Sequence, residues 1–218
     1  MLRFAEEILL LALDEKTGKL HALPERALEF AIAGALLAEL AFKNRIDTDT
    51  TQVLIQDASP TGDAVLDLAL ASLPRGEMKM TIQKALARIA LKAGPIKALL
   101  FAELVRKGIL KQQEQTFLWT MRDRRYPVID NHEEVEVRAR IRAAVLTPGE
   151  IPAPQEVVLI GLMDACDLDS VVFTPVEIDQ YAERIKQISR MDFIVQALAR
   201  AIGEIQQAIL EVIAFSGM

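Results

Sequence analysis

The stretch from Glu25 to Lys43 most limits what this chain can become. It reads as one long helix opened by Pro24, whose missing N–H costs nothing at a first-turn position. Ala31, Gly34, Ala35 and Ala38 keep part of its surface small, so another helix can approach closely. The rest of the chain supplies matching material. Of 218 residues, 51% are apolar but only 5% aromatic, so the core must be built from Ala, Leu, Ile and Val. That favours close-packed helices over aromatic-rich sheets. A chain this long buries roughly 70% of its unfolded surface and needs no disulfide or metal staple. It is read as one domain, 1–218.

Further helices are expected at Phe4 to Leu13, which is apolar nearly all round and hence central, and at Ala64 to Leu73. Met80 to Ala93, ended by Gly94-Pro95, and Ile96 to Lys107, stopped by Gly108, follow. Val135 to Leu146, Gln155 to Asp167 and Phe193 to Phe215 complete the set, with a helix to about Ser189 between the last two. Thr174-Pro175-Val176-Glu177 opens that helix with a capping threonine, a first-position proline and a glutamate three residues after the cap. Arg45 to Gln56 is rich in Thr, Val and Ile and reads as two short strands or an extended loop. Ile109 to Lys111 and Phe117 to Met121 are expected as strands around the polar turn Gln112 to Thr116, forming a hairpin. The fold class is therefore mainly α, a packed helical core with a projecting β-hairpin and a second short strand pair.

A net charge of −6 and a pI near 5.1 give no global attraction to nucleic acid or anionic membranes, so any such binding must be local. Glu6 and Glu7 interrupt the apolar N-terminus, and no small-residue cleavage site follows it, which argues against a signal peptide. No stretch reaches the ~20 apolar residues of a membrane span. A cytoplasmic protein, peripheral on a membrane if it meets one, is the expectation. Cys166 is the only cysteine, so an internal disulfide is impossible, and its apolar surroundings suggest a buried bystander. His21 and His132 lack ligand-spaced partners, and no HExxH, Walker loop or GxGxxG pattern occurs. Neither catalysis, nor a metal, nor a cofactor is expected. Asp57 and Asp63 flank a Ser-Pro-Thr-Gly turn and read as helix caps.

Two segments suggest binding. The helix pair around Gly94-Pro95 and the hairpin look locally like a winged helix, with Lys97, Arg106, Lys107, Arg122, Arg124 and Arg125 able to meet phosphates. Overall acidity opposes this DNA reading. Within the hairpin, Phe117 and Trp119 of one strand would share a face while Leu118 takes the other. Core, another chain or lipid must cover that bulk, and Trp is at home at a membrane interface.

Four ordered motifs resemble the Golgi phosphoprotein 3 family. They are Glu6 to Leu13 with the turn Asp14 to Gly18; Leu36 to Ala41 with Arg45-Ile46; Pro60 to Asp63 with Leu66-Asp67; and Leu104 to Leu110 followed by Phe117-Leu118. The resemblance covers most of the chain and implies a mostly helical, non-enzymatic protein. Eukaryotic members bind phosphatidylinositol 4-phosphate at Golgi membranes through a shallow basic pocket of one tryptophan and several arginines. A hairpin like this one inserts into the bilayer or mediates self-association, and those members also bind cytoplasmic tails of glycosyltransferases. This sequence departs at the pocket. The tryptophan falls near Leu23 and Pro24, and the arginines fall on Ala33, Gly94 and Lys97. Lys97 alone keeps a positive charge, and it lacks arginine's bidentate fork. The basic N-terminal tail of eukaryotic members has no counterpart, which suggests a short, prokaryotic-type member.

The resulting expectation is a peripheral protein on anionic phospholipid or phosphoinositide surfaces. Lys97 would meet the headgroup, and Phe117, Leu118 and Trp119 the bilayer or a second copy in a homo-oligomer. The alternatives are a protein-binding adaptor indifferent to lipid, and winged-helix-like DNA binding, although no nucleic-acid partner is expected.

Overall fold

The computed structural model describes residues 2–15, 17–23, 26–49, 51–74, 79–117, 121–147, 149 and 151–216. The fold is mainly α, as expected. Its centre is α1 (Phe4–Leu11), every residue of which is buried, beside α2 (Ala27–Phe42). The small-residue stretch of α2 does what its sequence implies. A methyl added at Gly34 would lie 2.5 Å from Leu162 Cδ2, so α7 (Pro154–Ala165) rests directly on the α2 backbone. The same device recurs where α7 meets α9 (Phe193–Ser216), since a Cβ at Gly161 would lie 2.1 Å from Val195 Cγ1. α1, α2, α7 and α9 therefore share one aliphatic core.

Local signals set most boundaries. Asp63 accepts from the Val65 and Leu66 amides and so caps α3 (Ala64–Ala71). Thr174 and Glu177 form the expected capping box at the start of α8 (Pro175–Ser189). α6 (His132–Leu146) begins three residues before the expected start. Asp57 proves not to cap a helix. It accepts from the Ser59 amide and hydroxyl and pairs with Arg45, which also reaches the Ser59 and Pro60 carbonyls.

The strand pair at Arg45 to Gln56 is present as β1 (Ile46–Thr48) and β2 (Gln52–Ile55), antiparallel, with Ile46 opposite Ile55. Met80 and Thr81, expected to be helical, instead form β3 on the other edge of β2. The helix starts two residues later because Thr81 serves as its cap, accepting from Lys84 N; α4 is Ile82–Ala90. α5 (Ala93–Arg106) takes Gly94-Pro95 into its own first turn, where proline is tolerated, and so that pair does not end the preceding helix. A 3-10 turn, Asp169–Val171, links α7 to α8.

The hairpin is shifted from its expected register. β4 is Gln113–Phe117 and β5 is Met121–Arg125, paired from Gln113 opposite Arg125 to Phe117 opposite Met121. From Gln113 to Thr116 the polar run expected as the turn is thus a strand. It contains no Gly, Pro, Asn or Asp to make a turn, and Phe117 and Met121 stand on opposite strands. Ile109 to Lys111 does pair, but at the hairpin's base: the Lys111 amide donates to the Pro127 carbonyl, and the Ile129 amide to Ile109. The turn after α1 clasps that base. The Tyr126 amide donates to Gly18 O, Gly18 has φ +64°, and a Cβ there would lie 2.3 Å from Pro127 N. Only glycine fits that approach. Tyr126 also stacks on Phe101 of α5, with ring centroids 3.9 Å apart.

Candidate functional site

Lys97 lies in the second turn of α5, half-buried, and its ammonium donates to Glu29 Oε1 at 2.8 Å. Glu29 comes from the first turn of α2, which seats the pair across the start of both helices. Burial alone would raise the Glu29 carboxyl, but the Lys97 hydrogen bond and charge outweigh it, and the carboxyl sits below its ordinary range. Arg26, immediately before α2, lies over the Phe30 ring at 5.1 Å. Among the described residues, two cations and one carboxylate thus gather here. A phosphate arriving at Lys97 must share the ammonium with Glu29 or displace it. The sequence offered no signal for Glu29, because the pairing joins positions 68 residues apart.

The other family pocket positions contribute no charge. Ala33 is fully buried in α2, so its side of the helix faces core. Gly94 is exposed, with open space where a Cβ would stand. Leu23 packs half-buried against the core, and Pro24 lies outside the described residues. Leu118 and Trp119 also lie outside them, as does the side chain of Phe117. The backbone of Phe117 closes β4 opposite Met121, so the two ends of the strand expected from Phe117 to Met121 pair with each other.

Of the cations read as able to meet DNA, Lys97, Arg106 and Lys107 each pair with a carboxylate. Arg106 meets Glu103 at 2.7 Å, and Lys107 meets the fully buried Glu6 at 2.7 Å. The arginines of α6 are likewise structural. Arg138 pairs with Glu134, Arg140 bridges buried Glu7 and Glu156, and Arg142 holds Glu177 at 2.5 Å. The Arg142 hydrogen bond draws Glu177 down to about 2, whereas burial pushes Glu7 up despite Arg140. His21 and His132 are exposed. Cys166 is fully buried, and burial pushes its thiol well above the usual range. Among the described residues no group of three or more His, Cys, Asp or Glu side chains is placed to hold a metal ion. Among the same residues no helix is long and apolar enough to cross a membrane.

The mainly helical core with a hairpin clasped at its base agrees with the family model that matches residues 4–205: the chain belongs to the Golgi phosphoprotein 3 (GPP34) family. It is similar to vacuolar protein sorting-associated protein 74 of Eremothecium gossypii, with 31% identity over 172 residues. That alignment takes in 69% of this chain and 50% of the relative, so the chain spans about half the length of the curated relative it matches.

Proposed function

We propose that the chain is a non-enzymatic peripheral membrane protein, a single Golgi phosphoprotein 3-like domain that docks on anionic phospholipid headgroups. The family match over residues 4–205 carries this reading. Lys97 supports it as a partly exposed cation three residues from Gly94, where an added Cβ would meet open space. In this reading Lys97 meets the phosphate, while Phe117, Leu118 and Trp119 meet the bilayer or a second subunit. One cation near an anionic surface contributes only about 1 kcal/mol, and Glu29 shares this one. Apolar insertion or avidity between copies must therefore supply the remainder.

The commitment of Lys97 to Glu29 favours a second reading, in which the chain is a protein-binding adaptor and lipid is irrelevant. The relative's name, which speaks of vacuolar protein sorting, suits either role. Vesicle flotation separates them. The lipid reading expects the chain to float with phosphatidylcholine vesicles containing 30 mol% anionic lipid and to remain in the pellet fraction with phosphatidylcholine alone. Equal recovery with both, or none with either, would favour the adaptor.

A further inference from the structure

From Lys79 to Ala102 the chain carries Lys79, Lys84, Arg88, Lys92 and Lys97 and no acidic residue, in a protein of net charge −6. α4 displays part of this row on one face. Ile82, Ala85, Leu86, Ile89 and Ala90 are buried, while Lys84 and Arg88, one turn apart, are exposed, and Lys92 continues the row at the corner into α5. Several cations elsewhere are committed: Arg3, Arg45, Lys107, Arg138, Arg140 and Arg142 each meet a carboxylate. Among the described residues no carboxylate pairs with Lys84 or Lys92, and Arg88 reaches only the Ser72 carbonyl, at 3.5 Å. Leu91, set between Arg88 and Lys92, is 76% exposed. α5 starts at the same corner without a side-chain cap, so the positive end of its dipole adds to the field there.

We propose that the outer face of α4 and its corner, formed by Lys84, Arg88, Leu91 and Lys92, is the surface that lies on an anionic bilayer. The proposal rests on the lipid reading above and extends the contact from Lys97 to a helix face not previously implicated. Charge complementarity selects the occupant, because an unpaired cationic row on an otherwise acidic protein seeks a dense layer of phosphates. The exposed leucine favours a bilayer over a nucleic acid. A headgroup layer has an acyl boundary beneath it that accepts an apolar side chain, and a phosphodiester backbone has none.

The test is flotation with vesicles of phosphatidylcholine and phosphatidylserine at 70:30, beside pure phosphatidylcholine and a mixed-sequence DNA duplex. It uses wild type, the triple variant Lys84→Gln, Arg88→Gln, Lys92→Gln, and Leu91→Ser. All four positions are exposed, so thermal midpoints should match. At roughly fivefold per cation, the triple variant should lose about a hundredfold in vesicle affinity, and Leu91→Ser several-fold. Wild-type vesicle binding that the triple variant retains in full would overturn this assignment while leaving the lipid reading intact. Failure of the wild type to bind anionic vesicles would overturn both. Loss by the triple variant on DNA, with no vesicle binding by the wild type, would assign the row to nucleic acid instead.

Discussion

Single side chains carry unusual electrostatic loads in this protein. Glu39 of α2 has a buried carboxylate oxygen without a hydrogen-bond partner. Burial pushes the group up to about 7, against the opposing charge of Arg3, which is already committed to Glu6 and Asp63. Because the folded value lies above the unfolded one, Glu39 contributes its stability fully below about pH 4.5. That contribution is lost as pH rises through 7. Glu39→Gln should therefore stabilise the protein by about 2 to 3 kcal/mol at pH 8 and change little at pH 4.5. Urea denaturation at both pH values checks this, and an equal effect at the two would contradict it. Arg140 is the opposite case, one guanidinium shared by buried Glu7 and Glu156. Arg140→Ala should cost about 3 kcal/mol or more at pH 7, since it strands two carboxylates, and less once acid protonates them. None of these networks was legible beforehand. The arginines of α6 give no local sign of their distant partners, because an ion pair between distant helices leaves no trace in local spacing.

At the scale of elements, what was legible had a local cause. The Asp63 cap, the Thr174 box and the small-residue stretch of α2 each depend on neighbours a few positions away, and each appears in the structure. The hairpin register did not follow from sequence. The run Gln113 to Thr116 lacks the apolar alternation that marks a strand, and only main-chain pairing with the residues from Arg122 to Arg125 makes it one. Met80 and Thr81 joined β2 for the same non-local reason. Close helix contact at Gly161 gives a further prediction. Gly161→Ala drives a methyl into Val195 and should destabilise the α7–α9 packing by about 1 to 3 kcal/mol. A thermal midpoint equal to wild type would show that α9 yields freely.

For the whole molecule, the candidate site was only half visible. The sequence singled out Lys97, but its partner Glu29 appears only when α2 and α5 meet. Replacing Phe117, Leu118 and Trp119 together with serine should leave the thermal midpoint nearly unchanged while abolishing vesicle binding or self-association. If the three belonged to the core, each would be worth roughly 1.5 to 3 kcal/mol and the variant would unfold, as circular dichroism would show. The central claim is docking on anionic headgroups by general charge, because one lysine stands where the family pocket carries arginines. The most direct measurement compares vesicles of phosphatidylinositol 4-phosphate and of phosphatidylserine at matched surface charge, across a salt series. Similar affinity for the two, weakening together as the Debye length shortens, is the predicted result. A preference of tenfold or more for the phosphoinositide, about 1.4 kcal/mol of specific recognition, would contradict it.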